Sequence, residues 1–464
     1  MLIRSRRDFL RTTIRSAAAI TAGGAMSRFG VMNALAQSNS SSYQALVCIF
    51  LAGGNDGHNT VVPIATAQQN YNLYAQARGG LAIPQSSLLA IPNGNDTYGL
   101  HPGLPEIQAL YLEKKAAILA NVGMLVTPFA NKAAYQAAPS AMLPQQLFSH
   151  SDQTGQWQTA VPTGLSSSGW GGRIADVLQQ QTPAQNVGAK FPPVASVSGC
   201  GQFCTGQNTL PASVPPPYSP GQATSMATLG GLAPNSVTAP GMQQLLAFDN
   251  GLLLVQGANN TVSDGSNYAN TLTGLLPSNR IQTAFPANNP LANQLLAVAN
   301  VISVQSQLAL TRQIFFCSLG SFDTHSGQVE TQTPLLQQLS QAVNAFYTCV
   351  SQELNLANNV VIFTASEFGR TLSPSGSDGS DHAWGSHHFI IGGGVAGGQI
   401  YGNFPLLALG GPNDANTRGT LIPTTGVDQY GSTMAQWFGV APSNLPTVFP
   451  NIGNYTTTNL GFLG

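Results

Sequence analysis

The chain has 464 residues, with 16 Lys or Arg, 17 Asp or Glu, and 43% hydrophobic residues. Only 7% are charged, against about 25% in ordinary soluble domains. This excludes a charge-rich disordered chain, a coiled coil and a nucleic-acid binder that works by counterion release. The length suffices for a large buried core, in one large domain or two to three ordinary ones.

Residues 1–36 read as a twin-arginine export signal. Ser5-Arg6-Arg7-Asp8-Phe9-Leu10-Arg11 is followed by a mildly apolar stretch and the small-x-small site Ala34-Leu35-Ala36. The expected location is therefore periplasmic or secreted. That segment holds six Arg and one acid, so sixteen less six leaves 10 basic residues and seventeen less one leaves 16 acidic ones. The formal net charge of the remainder is −6, which disfavours nucleic acid and anionic lipid as partners. No later run reaches the ~18–20 apolar residues of a membrane span.

Residues 45–52 form a continuous apolar run, the pattern of a strand buried on both faces. It ends in Gly53-Gly54-Asn55-Asp56-Gly57. The spacing predicts a helix over 104–115 and a second buried strand over 116–122. A polar knot follows, Leu147-Phe148-Ser149-His150-Ser151-Asp152-Gln153, where a helix begins, and residues 169–181 read as another helix. From about 183 to 288, Pro, Ser, Gly and Asn clusters surround short alternating runs at 243–248 and 252–256. This predicts an insertion or cap with antiparallel strands, within a single domain over 37–464. Helical spacing returns over 291–312. A strand over 313–319 ends in Ser321-Phe322-Asp323-Thr324-His325, and 335–354 is helical. A strand over 360–364 ends in Ala365-Ser366-Glu367-Phe368-Gly369-Arg370, and 389–391 is a fourth. Such alternation implies a largely parallel α/β sheet covered by helices. Cys48 and Cys317 read as small core residues, while Cys200 and Cys204 are close enough in sequence to pair.

Ligands of open α/β sheets bind beyond the carboxyl ends of the strands. Three strand ends here deliver a carboxylate: Asp56, Asp323 and Glu367. His325 lies two residues after Asp323, and Asp381-His382 sits in the loop before the next strand. These are ligand types for a divalent metal, and two ions could share the set. Simpler readings stand beside this one. Asp56 is also a turn residue type, Asp323 and His325 can pair or cap a helix, and Glu367 with Arg370 can be a structural ion pair. A Ser149 hydroxyl at a helix start sits in positive potential, which suits a nucleophile, an anion site or an ordinary cap. His58, His101, His387 and His388 are weaker candidates. No Gly-x-Ser-x-Gly elbow is present, and the Gly392-Gly393-Gly394 run with Gly397-Gly398 is not read as a dinucleotide fingerprint because it does not open a helix after a first strand.

Taken in order, these motifs resemble the exported bacterial family catalogued as domain of unknown function 1501, over roughly 43–440. That family is similar to the alkaline phosphatase and sulfatase superfamily. The resemblance implies a three-layer α/β/α sandwich with a mostly parallel sheet and one or two divalent ions at the strand ends. Zinc comes first, with manganese, magnesium or calcium as alternatives. On that basis Asp56, Asp323, His325, Glu367, Asp381 and His382 are expected metal ligands, and Ser149 or Ser151 the nucleophile. His150 or His382 is expected to protonate the leaving group, and Arg370, or backbone N–H groups at the helix start, to hold the non-bridging oxygens. The implied substrate is a small-molecule or polysaccharide ester of phosphate or sulfate. Three features depart from the superfamily: Glu367-Phe368 stands where Asp-His is usual, Asp323-x-His325 is tighter than the usual spacing, and the cysteine motif for formylglycine is missing near 149. They keep open a non-catalytic secreted binding or surface-assembly protein on the same fold.

Overall fold

The computed structural model describes residues 43–199, 201–216, 241, 244, 252–276 and 281–464, so the export signal expected at 1–36 lies outside the described residues. The first apolar run is β1 (Gln44–Leu51), in which every residue from Ala45 onward is buried. Its neighbours β8 (Arg312–Leu319) and β9 (Val360–Ala365) both run parallel to it. A strand without polar alternation needs cover on both faces, and β1 sits mid-sheet.

The other strands are β2 (Val61–Ala65), β3 (Leu89–Asn93), β4 (Asp96–Leu100), β5 (Ala116–Gly123), β6 (Val194–Ser196), β7 (Ala212–Ser213), β10 (Ser386–Ile391), β11 (Ile400–Tyr401) and β12 (Thr425–Gly426). The main sheet has the order β11-β5-β10-β9-β1-β8-β6-β7, with β12 also on β5, while β2-β4-β3 form a small antiparallel sheet. Among the described strands of the main sheet, β10 alone is antiparallel, to β5 and β9. The 366–385 connection contains no helix to carry the chain back across the sheet, so the strand returns directly. As a result β10 begins at the edge where β1, β8 and β9 end.

The described α-helices of eight residues or more are α1 (Tyr71–Arg78), α2 (Pro105–Leu112), α3 (His150–Thr159), α4 (Trp170–Gln180), α5 (Leu253–Leu275), α6 (Pro290–Ser303), α7 (Gln328–Thr348) and α8 (Val427–Trp437). Alternate β1 residues Leu46, Cys48 and Phe50 pack with Trp157, Ile174 and Met434 from α3, α4 and α8. The intervening residues Ala45, Val47 and Ile49 are equally buried. On that side α6 lies on β8 and contacts α7, which in turn contacts α2. The result is the expected three-layer sandwich.

Several local expectations are corrected. Residues 252–256 open a helix, α5, whose Ala269, Leu272 and Leu276 are buried at helical spacing. Inside the expected insertion, β6 and β7 extend the main sheet in parallel fashion. Except for Gln244, the 243–248 run is outside the described residues, as is Cys200. The helix expected over 291–312 stops at Ser303, because β8 pairs with β1 from Arg312 onward and the chain must turn first. The helix expected from 335 starts at Gln328 and runs through Pro334. Cys48 and Cys317 are buried in β1 and β8.

Candidate metal centre

The glycine turn after β1 lets three loops meet. Gly53 and Gly54 have φ of +119° and +82°, backbone that favours glycine. A Cβ on Gly53 would lie 2.3 Å from the Asp323 amide nitrogen, and one on Gly54 would lie 2.4 Å from the Phe368 ring. The Gly53 N–H donates to Glu367 Oε1 at 2.8 Å. Arg370 is fully buried and donates to the carbonyls of Gly53 (2.6 Å), Gly54 (3.0 Å) and Ser380 (2.7 Å), and to Asp323 Oδ1. The β1, β8 and β9 ends are thereby tied together around one guanidinium.

Three histidines surround Asp323. His150 opens α3, His325 follows β8 and His382 precedes β10. Each has its Nδ1 on an acceptor: His150 on Glu367 Oε1 at 2.8 Å, His382 on the Phe148 carbonyl at 2.7 Å, His325 on Asp381 Oδ1 at 3.3 Å. A carbonyl can only accept, so His382 carries its proton on Nδ1; the two carboxylates favour the same tautomer in the other rings. All three Nε2 atoms then face Asp323 Oδ1, at 3.4, 3.1 and 3.3 Å for His150, His325 and His382. The Nε2 atoms of His325 and His382 are 2.9 Å apart, and His150 Nε2 is buried with no hydrogen-bond partner among the described residues. Lone pairs crowded on a carboxylate oxygen repel one another unless a cation lies among them. The donor atoms of His150, Asp323 and His382 all lie within 4.8 Å of one another. Imidazole nitrogen and carboxylate oxygen are zinc-type ligands, and three of them leave a position open.

The electrostatics agree. Desolvation raises the Asp323 carboxyl, but Arg370, His325 and His150 outweigh it and bring its pKa to about 2. Burial lowers His382, with further lowering from His150 and Arg370 and opposition from Phe148 and Asp323, favouring the neutral form a metal takes. Phe368 packs on the rings of His150 and His382, with centroids 4.8 and 4.6 Å away, and so fixes their planes.

The ligand set expected from the sequence is rearranged in space. Asp323, His325 and His382 come together with their Nε2 and Oδ1 atoms inward. Glu367 and Asp381 contact the outer nitrogens of His150 and His325, the place of partners that orient metal-bound histidines. Asp56 does not join them. It is buried, caps the Gly57–Thr60 turn through the N–H groups of His58 (2.9 Å) and Asn59 (3.4 Å), and is hydrogen bonded to Arg78 and Gln328. Arg370, expected to hold substrate oxygens, has its donors on the carbonyls of Gly53, Gly54 and Ser380 and on Asp323. Ser149 is the N-cap residue of α3, but its Oγ donates to Asp152 Oδ2 at 2.5 Å rather than capping; Ser151 Oγ is 3.2 Å from it and exposed. His58, His101, His387 and His388 are buried elsewhere in the fold.

Asp56→Ala is expected to cost about 3–5 kcal/mol, because it leaves the buried Arg78 guanidinium unpaired. The fraction that folds is expected to keep its metal content. Denaturant unfolding and metal analysis of the same preparation check both parts.

No curated protein matches the chain. Similar solved structures include Ps i-CgsB in complex with k-i-k-neocarrahexaose, at 9% identity and a TM-score of 0.37, over 89% of this chain and 77% of that one. The PsFucS1 sulfatase from Pseudoalteromonas sp. aligns at 11% identity and 0.34, over 89% and 70%. The lipoteichoic acid synthase LtaP from Listeria monocytogenes aligns at 7% and 0.34, over 89% and 77%. The family described as "Protein of unknown function (DUF1501)" matches residues 43–425, and the chain belongs to that family.

Proposed function

We propose that the chain is an exported, metal-dependent hydrolase of phosphate or sulfate esters that works with one divalent ion. His150, Asp323 and His382 hold the ion, with His325 as a fourth donor beside them. The supporting observation is the common aim of the three histidines, each tied outward by Nδ1 and facing Asp323 with Nε2. Zinc suits this donor set. When bound, the ion offers charge to the ester oxygens and lowers the pKa of the attacking oxygen.

The chain's own groups then have distinct tasks. Ser149 Oγ, at the positive end of α3, attacks phosphorus or sulfur as the bond to the leaving alcohol breaks. Asp152, already accepting from Ser149, is placed to take its proton and pass it to the departing alkoxide. Water then hydrolyses the seryl ester. Glu367, Phe148 and Arg370 hold His150, His382 and Asp323 in place. With both ring nitrogens engaged, His150 serves as a ligand in this scheme, instead of moving the proton expected from the sequence.

A second reading is a binding protein that keeps the ion and lacks turnover. It is favoured by Phe368, which stands where the resemblance expects a histidine. Elemental mass spectrometry on protein purified without chelators, followed by an ester screen of wild type and Ser149→Ala, tests both. One ion per chain is expected, with turnover in wild type and none in Ser149→Ala although its ion remains. Two ions would return Asp56 to the ligand set. An ion with no turnover of any phosphate or sulfate ester would select the binding protein.

A further inference from the structure

We infer that Arg418 is a positioning residue that acts through Asp381 to aim His325 at the metal position. This rests on the proposed metal-binding reading and extends it to a loop with no contact to the ion. Of the three rings, His325 is the most exposed, at 46% against 35% for His150 and 23% for His382. His150 and His382 pack against Phe368, whereas the aromatic neighbour of His325 among the described residues is His382 alone. Ring packing holds His325 less than the other two, so polar contacts set its orientation: Nε2 lies 2.9 Å from His382 Nε2, and Nδ1 faces Asp381.

The bond comes from Asp381, whose Oδ1 lies 3.3 Å from His325 Nδ1. Asp381 Oδ2 is 2.6 Å from Arg418 Nη1. The Asp381 main chain is fixed on Thr371, whose Oγ1 takes the Asp381 N–H at 3.0 Å and whose N–H donates to the Asp381 carbonyl at 2.9 Å.

Arg418 is held just as firmly. Its N–H donates to Asn416 Oδ1 at 2.7 Å and its carbonyl accepts from Ser373 N at 2.9 Å. The loop that carries it folds around Asp414, a fully buried carboxylate. Asp414 accepts from the N–H groups of Gly410 (2.8 Å), Asn416 (3.1 Å), Gly419 (2.8 Å) and Thr420 (3.0 Å). Gly419 has φ +77°, and a Cβ there would lie 2.2 Å from Leu372 Cβ. Exposed ion pairs usually add little stability, partly because two mobile chains must be ordered. Here both backbones are already fixed, and the pair acts on ring direction. Outer partners of metal-bound histidines typically affect metal affinity by about 10- to 100-fold.

The alternative is the sequence expectation that Asp381 is itself a ligand. Removing Arg418 would then free Asp381 and leave affinity unchanged or higher. Zinc affinity of the full chain, measured by chelator competition, separates the two. Arg418→Met is expected to weaken zinc binding about 10-fold or more, Arg418→Lys to recover most of it, and Asp381→Asn to be at least as damaging as Arg418→Met. Because both act through one ring, Arg418→Met combined with Asp381→Asn should be no worse than Asp381→Asn alone. Thermal unfolding of the metal-free variants should match wild type. Full zinc affinity in Arg418→Met, or additive losses in the double variant, overturns the inference. Nitrogen-15 NMR of the metal-free chain gives an independent readout, with His325 protonated on Nδ1 in wild type and mixed in Arg418→Met. A wild type that takes up no zinc defeats the metal reading, while this tautomer comparison still decides whether Arg418 positions the ring.

Discussion

His150→Ala is expected to yield a folded chain that loses both its ion and its ester hydrolysis. His150 is the first residue of α3 and its side chain is 35% exposed, so truncation opens no core cavity. Alanine also suits a helix. Glu367 loses the ring but keeps the Gly53 N–H at 2.8 Å. The stability change should therefore stay within the ~0.5–3 kcal/mol of common substitutions. The effect on the ion is far larger. The closed set has three members, and without His150 it keeps Asp323 and His382, with His325 beside them. Losing a direct ligand should exceed the ~10- to 100-fold cost of losing an outer partner. Metal analysis after dialysis, with circular dichroism to confirm folding, checks this. Retention of a full equivalent of ion by folded His150→Ala would remove His150 from the ligand set. Ser149→Ala is the matched control, one residue away, expected to keep the ion and lose turnover.

The fold was legible where burial on both faces left a continuous apolar run, as in β1, β5, β8 and β9. The rule that ligands gather beyond strand carboxyl ends located the edge where Asp323 and Glu367 meet. Two parts of the site could not be read this way. Asp381 and His382 reach that edge because β10 runs against its neighbours, and strand direction is a property of the connection, invisible in Phe389-Ile390-Ile391. Which atom of a residue faces inward is a tertiary fact. Glu367 and His150 face differently from the expectation, because the carboxylate lies against the ring's Nδ1 and the ring's Nε2 faces Asp323. Asp56 looked like a ligand because nothing near Gly54-Asn55-Asp56-Gly57 announces Arg78, which comes from a helix 22 residues further along. The scarcity of charge did carry information. In a chain with 7% charged residues, most carboxylates and guanidiniums near the strand ends have definite partners, whether they face an ion or brace a loop.

The remaining histidines set a different expectation, a loss of stability on acidification that arises outside the metal centre. His58, His101, His387 and His388 are all at most 2% exposed. Burial lowers the pKa of His58 and His101 from 6.5 to about 4 and of His388 to about 3, and holds His387 well below its ordinary value. Among the described residues His58 Nδ1 and His388 Nε2 have no hydrogen-bond partner, so a proton added there would find no acceptor, and His101 Nδ1 already accepts the Gly103 N–H, which a proton added to it would displace. In the unfolded chain these groups bind protons near pH 6.5, before the folded chain does. Their contribution is therefore complete above 6.5 and is lost as pH falls toward about 4 for His58 and His101 and about 3 for His388. Each group adds a slope of about 1.4 kcal/mol per pH unit inside its window. Several acting together can consume a typical stability of about 5–15 kcal/mol before pH 4. Asp323 works in the same direction at lower pH, and its exposure discounts it. Urea unfolding of metal-free protein at pH 7, 6 and 5 isolates this effect from protonation of metal ligands. His388→Phe should reduce the slope by about one proton, since the ring lies among Trp157 and Tyr430 and its imidazole is the group that titrates. A slope that His388→Phe leaves intact would assign the acid sensitivity to other groups.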